Sequence, residues 1–137
     1  VPDLFIDHRL RPAFYDLDPM AIVWHGHYLK YFELARDALL SQFNYSYHQM
    51  LESGYVWPVV DVRLKYVKSA KLNQWLNVRA SVAEFENRLK IDYRISDVDS
   101  GEKLTEGYTI QVAVEAKTER MLFVCPPILW ERLGVAP

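Results

Sequence analysis

The sequence holds one cysteine, Cys125. No disulfide can close within the chain and no cysteine framework for a metal can be assembled; a lone thiol reads as a small buried hydrophobe. Glycine is equally scarce, five residues in 137. No glycine-rich phosphate loop, dinucleotide fingerprint or Gly-x-Ser-x-Gly nucleophile elbow occurs. Neither sign of charge dominates: the net charge is −2 and the pI about 6.1, which leaves no electrostatic footprint for nucleic acid or an anionic membrane. No apolar run approaches the ~20 residues that span a bilayer. Val1-Pro2-Asp3 opens no basic-then-apolar leader, so a cytoplasmic protein without a membrane span is expected.

What is present is core-building material. Half of the residues are hydrophobic, 14% are aromatic and 25% are charged, as in an ordinary globular protein, and the length fits a single domain over residues 1–137. Residues 4–11 alternate, with Leu4, Ile6, His8 and Leu10 opposite Phe5, Asp7, Arg9 and Arg11, which is the period of a half-buried strand. Pro12 removes a ladder donor and ends it. From Tyr28 to about Ser41 the period becomes 3.6. Tyr28, Phe32, Ala35 and Leu39 share one face, flanked by Tyr31, Leu34 and Ala38. Only Lys30, Glu33, Asp37 and Ser41 form a polar stripe. So narrow a stripe predicts a helix buried on most sides.

A short helical turn over residues 46–53, stopped by Gly54, comes next. Alternating runs then follow at Val60–Tyr66, Leu76–Val82, Leu89–Ile95 and Ile110–Ala116, with a turn at Asp99-Ser100-Gly101. A hairpin turn over Lys117–Arg120 leads into Met121–Val124. Ile128–Leu133, with prolines before it and Gly134 after it, reads as a last short helix. Successive strands without intervening helices make an antiparallel sheet, and the class is α+β. One helix against one sheet leaves an edge strand and an exposed face, which favours dimerisation.

Chemistry-bearing residues concentrate in Phe14–Leu40. Asp16 and Asp18 are spaced two apart, Asp18 directly before Pro19; then come Ala21-Ile22-Val23-Trp24, His25-Gly26-His27 and the helix. Asp16 suits a turn cap or a pair with a nearby arginine. Asp18 alone would suit an Asx-turn. His25 suits an interface or capping histidine, and His27 a polar group at a helix start. The His25-x-His27 and Asp16-x-Asp18 spacings lack the i,i+4 geometry and the second cluster of a metal site, so no metal is expected. Glu33 and Arg36 read as an intrahelical pair or a dimer contact.

These residues carry a resemblance. Asp16-Leu17-Asp18-Pro19, Ile22-Val23-Trp24-His25, Tyr28 and Tyr31-Phe32-Glu33-Leu34-Ala35-Arg36 resemble the signature of the hot-dog-fold acyl-CoA thioesterases, the 4-hydroxybenzoyl-CoA thioesterase and YbgC-like group. The resemblance implies a long central helix wrapped by a curved antiparallel sheet of about five to six strands. It implies Asp18 as the catalytic carboxylate and His25 as the residue whose backbone N–H, and in one branch whose side chain, serves the site. That branch has a tyrosine four residues before the aspartate; here Phe14 stands there and Tyr15 follows. A glycine is common where Met20 and Ala21 stand. Tyr15, Trp24 and Tyr28 become candidate substrate-binding residues. The implied substrate is acyl-CoA or an acyl-carrier protein, the implied assembly a homodimer or homotetramer with the site at the dimer interface. No cofactor is implied, since coenzyme A belongs to the substrate.

The chemistry stands without the resemblance. A thioester has a thiolate leaving group with a pKa of about 8.5, so hydrolysis needs a base or nucleophile and a place for the oxyanion. One carboxylate supplies the first in either role. A helix start supplies the second through its orphan N–H groups. Phosphates of coenzyme A call for cations, and Lys65, Lys68, Lys71, Arg88 and Lys90 are candidates, equally readable as solvated strand edges. Tyr31, Trp57 and Tyr66 fit either an acyl tunnel or the core. Two alternatives remain open: a (de)hydratase acting on β-hydroxyacyl thioesters, with Glu33 as its helical carboxylate, and a non-hydrolytic acyl-binding or carrier-protein-binding module.

Overall fold

The structure, a computed structural model, describes residues 4–136; Val1-Pro2-Asp3, read above for a leader, and Pro137 lie outside the described residues. Strand β1 (Phe5–Leu10) leads through 3-10 turns at Phe14–Asp16 and His25–His27 into helix α1 (Tyr28–Gln42). Then follow α2 (Tyr47–Glu52), β2 (Tyr55–Val56), β3 (Val59–Tyr66), β4 (Leu76–Glu84), β5 (Leu89–Asp97), β6 (Lys103–Gln111), β7 (Val114–Glu115) and α3 (Pro127–Leu133). Five strands form one antiparallel sheet in the order β1-β4-β5-β6-β3, and β2 pairs with β7. The α+β architecture, with one long helix on a five-stranded sheet, is the expected one. Its last helix ends at Gly134 with φ 72°, the left-handed cap that glycine adopts freely.

Helix α1 buries Tyr28, Tyr31, Phe32, Ala35, Leu39 and Leu40 and packs chiefly on β1 and β4. Phe32 is fully buried and lies flat on Tyr93 of β5, ring centroids 4.3 Å apart. Burying such a ring stabilises the fold by about 1.5–3 kcal/mol. Gly107 makes room beneath it: a Cβ there would collide with the Arg63 carbonyl and stand 3.1 Å from the Phe32 ring.

Two expectations are corrected. The strand placed at Ile110–Ala116 is β6, and it runs from Lys103 to Gln111. Its register beside Leu89, Ile91, Tyr93 and Ile95 puts Gln111, Thr109, Gly107 and Thr105 on the helix-facing side. Thr105, Thr109 and Gln111 are buried although polar, so the apolar alternation was displaced onto Ile110, Val112 and Val114. Helix α1 is also less enclosed than its pattern suggested. Leu34 is 47% exposed, and Glu33, Asp37 and Ser41 face solvent with it.

The same offset of α1 leaves the β3 edge bare. Val59, Val62 and Tyr66 lie on its helix side, opposite Gln111, Thr109 and Thr105, yet are 38%, 38% and 47% exposed. Val60 sits in a register shift between Val59 and Asp61, an irregularity that bends a strand locally. An apolar strip beside unpaired backbone at a sheet edge is a surface that a fold ordinarily covers.

Candidate active site

Asp16 to Trp24 close into a tight hairpin. The Trp24 N–H donates to the Asp16 carbonyl at 2.9 Å, the Asp18 N–H to Ile22 at 2.8 Å and the Ala21 N–H to Asp18 at 3.0 Å, with Leu17 and Val23 bridged between them. Pro19 takes the second position of the four-residue turn, where its fixed φ fits. The Asp18 side chain closes an Asx-turn, its Oδ1 accepting the Met20 N–H at 2.8 Å. Ala21 adopts φ 62°, the left-handed region that costs a residue with a Cβ about 1–2 kcal/mol.

The hairpin is anchored on both sides. Val23 donates to the Ala70 carbonyl at 2.9 Å, Ile22 bridges Lys71, and the Ala70 N–H donates to the Tyr28 hydroxyl at 2.9 Å. On the other side lies Asp16, only 2% exposed. Its Oδ2 accepts from the Tyr31 hydroxyl at 2.7 Å and the Ala13 N–H at 3.0 Å, and its Oδ1 is paired with the Lys30 ammonium. Burial by itself would raise the Asp16 carboxyl. The donors from Lys30, Tyr31 and Ala13 outweigh it, and the net shift is downward. Burial, with the Asp16 hydrogen bond and charge behind it, pushes the Tyr31 hydroxyl up.

Asp18 is half-buried, and among the described residues its Oδ2 has no hydrogen-bond partner. His25 begins the second 3-10 turn. The backbone N–H groups of His25 and Gly26 likewise have no acceptor among the described residues. Tyr66 donates to the His25 carbonyl at 2.7 Å, which fixes the turn from the end of β3. Trp24, 47% exposed, packs its ring on those of His25 and His27 at 4.9 and 5.3 Å; a Cβ at Gly26 would collide with it. The site thus combines a carboxylate oxygen with free capacity, two free N–H groups at a helix start and an aromatic rim.

The remaining candidates fall as follows. Tyr28 is buried and its hydroxyl is held by Ala70. Burial raises its pKa, the Ala70 N–H acts against that, and the charges of Tyr66 and Asp18 add to the rise. Tyr15 is 80% exposed, with the Lys30 ammonium 5.4 Å from its ring centre. Lys68 pairs with Glu102 at 2.9 Å and Arg88 with Glu84 at 2.7 Å, Lys90 lies over Tyr108, and Lys65 faces an open groove on the outer side of the sheet. Lys71 adjoins the hairpin through Ile22. Cys125 is buried, and burial pushes its thiol up to about 11. Sequence reasoning did not find the Lys30–Tyr31–Asp16 clamp or the Ala70 anchor. A lysine on an expected polar stripe and an alanine in a loop carry no local signal.

The clamp makes a prediction. Asp16→Asn should lower the unfolding free energy at neutral pH by about 2–3 kcal/mol, the scale of charge-assisted hydrogen bonds. A carboxyl lowered by folding contributes stability above its unfolded pKa of about 3.9, and that contribution disappears as pH falls through the folded value. Urea melts from pH 7 down to pH 2 should therefore show the gap between the proteins closing below about pH 4. A gap that stays constant with pH contradicts the clamp.

Comparison with known proteins identifies the family and the fold. Residues 12–133 match the Thioesterase-like superfamily. Over 88 residues the chain is 33% identical to the acyl-CoA thioesterase YbgC of Haemophilus influenzae, covering 58% of this chain and 65% of that protein. The crystal structure of TT1821 from Thermus thermophilus is 28% identical with a TM-score of 0.83, over 93% of this chain and 96% of the other. That of the DHNA-CoA thioesterase from Staphylococcus aureus is 25% identical, also with a TM-score of 0.83, over 95% and 89%. The chain belongs to the thioesterase-like superfamily and has its hot-dog fold.

Proposed function

We propose that this thioesterase hydrolyses acyl-CoA, or the same acyl group on a carrier protein, at the Asp18–His25 hairpin. The observation that carries the reading is the pairing of an unengaged Asp18 Oδ2 with the free N–H groups of His25 and Gly26 on one anchored turn. The thioester oxygen lies at the two N–H groups, which gain strength as it becomes an oxyanion; one such donor is typically worth about 2.7–4 kcal/mol. Asp18 acts through Oδ2, either taking a proton from the attacking water or attacking the carbonyl itself to form an anhydride that water then opens. In both routes the carbon–sulfur bond breaks, the electron pair leaves on sulfur, and the products are free acid and thiol. Trp24 and Tyr15 flank the entrance, Tyr28 forms the inner wall, and Lys71 faces the phosphates.

The second part of the proposal is a homodimer, alone or as half of a tetramer, formed by antiparallel pairing of β3 with its copy. Helix α1 begins near Tyr66, which holds His25. Val59, at the other end of β3, lines a cavity together with Leu40 from the last turns of α1. A two-fold pairing of β3 therefore sets the hairpin of one subunit beside the partner's cavity, and the acyl group enters between subunits. It also covers Val62 and its exposed neighbours.

Thiol release from short, long and aromatic acyl-CoAs tests the chemistry. The wild type should turn over at least one class, and Asp18→Asn should be slower by about 10²–10⁴-fold, the range of a lost general base. Equal rates would remove Asp18 from the mechanism; tight binding without turnover by the wild type would favour the acyl-binding module. Sedimentation tests the assembly. The wild type should run at no less than twice 16.1 kDa, and Val62→Lys should run as a monomer with little activity. A fully active monomer would contradict the shared site.

A further inference from the structure

The two N–H groups assigned to the thioester oxygen belong to successive peptide units, and each unit accepts a hydrogen bond at its carbonyl. The His25 N–H shares a planar peptide with the Trp24 carbonyl, which accepts from the His27 N–H at 2.9 Å. The Gly26 N–H shares one with the His25 carbonyl, which accepts from the Tyr66 hydroxyl at 2.7 Å, an ordinary O–H···O length. The first contact is backbone closing its own turn. The second comes from a side chain 41 residues along the sequence, and one substitution removes it.

The sheet holds that hydroxyl in place. Tyr66 is the last residue of β3, and its backbone is paired with Thr105 of β6. Its ring packs edge-on against those of Tyr28 and His25, with centroids 5.3 and 6.4 Å away. Tyr28 is itself buried and tied to the Ala70 N–H. Partial burial pushes the Tyr66 hydroxyl up from its ordinary pKa, so it is a protonated donor at neutral pH. A donor on a carbonyl oxygen draws density from the amide nitrogen through the resonance that makes the peptide planar. Hydrogen bonds joined through one group strengthen each other in this way by about 10–30% per bond.

We propose that Tyr66 is a positioning residue for thioester hydrolysis, which holds the His25–Gly26 peptide and polarises its N–H towards the developing oxyanion. This rests on the thioesterase reading. As the thioester oxygen gains charge, the Gly26 N–H donates to it more strongly, and the bond from Tyr66 to the His25 carbonyl tightens with it. The gain is therefore made in the transition state and not in substrate binding, so it belongs to kcat. One oxyanion donor is typically worth about 10²–10³-fold in kcat. Strengthening it by about 10–30% makes the Tyr66 hydroxyl worth roughly two- to eightfold.

The test compares the wild type with Tyr66→Phe and with proteins carrying, at position 66, a tyrosine fluorinated once or twice beside its hydroxyl. Thiol release is followed from an acyl-CoA that the wild type hydrolyses, at a pH below the ionisation of every ring. Fluorine makes the hydroxyl a stronger donor and leaves its place nearly unchanged. The kcat should fall roughly two- to eightfold in Tyr66→Phe and rise stepwise with one and two fluorines, while KM stays level. Thermal melts and sedimentation check that Tyr66→Phe is folded and assembled. Should it fail either, the fluorinated proteins, which keep the hydroxyl, decide alone. A folded Tyr66→Phe with the wild-type kcat overturns the proposal. A loss confined to KM overturns it too, as does a flat fluorine series, which would make the hydroxyl a tether without polarising effect. Each of these leaves the thioesterase reading intact. A wild type that hydrolyses no ester overturns that reading instead, and the role of Tyr66 falls with it.

Discussion

The buried Asp16 carboxylate is the interaction on which the rest of the site depends. It ties the Ala13 amide before the hairpin to Lys30 and Tyr31 on the first turns of α1, while the backbone carbonyl of the same residue accepts from the Trp24 amide on the returning arm. A carboxylate taken out of water is costly unless its lone pairs are answered, and here both oxygens are. The charge thereby fixes the hairpin against the helix start. Asp18 lies two residues along one arm and His25 one residue past the other. Catalytic constellations need such rigid support, because small displacements of reacting groups are costly.

A second constraint comes from the sheet. The helix-facing side of β6 carries Thr105, Gly107, Thr109 and Gln111 where a simple core would carry valine or isoleucine. Part of this polarity is answered internally, by the Tyr93–Thr109 hydrogen bond at 2.8 Å and the Gln111–Trp57 bond. Part is not: Thr105 Oγ1 and Gln111 Oε1 are buried with no partner among the described residues. With α1 drawn over β1 and β4, the β3–β6 side of the sheet is where the helix layer ends. Exposed apolar side chains and an unpaired strand edge meet there.

Much of the framework was legible in the residues. The period-two run of β1, the 3.6 period of α1 and the Pro–Gly brackets of α3 each carry their structure locally. Gly54 stops α2 with φ 91°. β6 was misplaced because its inward residues are polar or glycine, and hydropathy alternation presumes the opposite. Val60 left the apolar register of β3 through a local irregularity that no alternation encodes. Within the site, the Asp-x-Asp-Pro turn and the helix start were recognisable as a unit because they are contiguous. Their supports were not. Lys30 meets Asp16, and Ala70 meets Tyr28 and Val23, only once the chain has folded.

The most direct measurement is a crystal structure of the Asp18→Asn variant holding an intact acyl-CoA. The account predicts the thioester oxygen within about 2.7–3.1 Å of the His25 or Gly26 N–H, with the substituted carboxamide at position 18 against the same carbonyl carbon. The acyl group should run towards the cavity of the partner subunit. A thioester bound away from the hairpin, or one whose oxygen meets neither N–H, would contradict it.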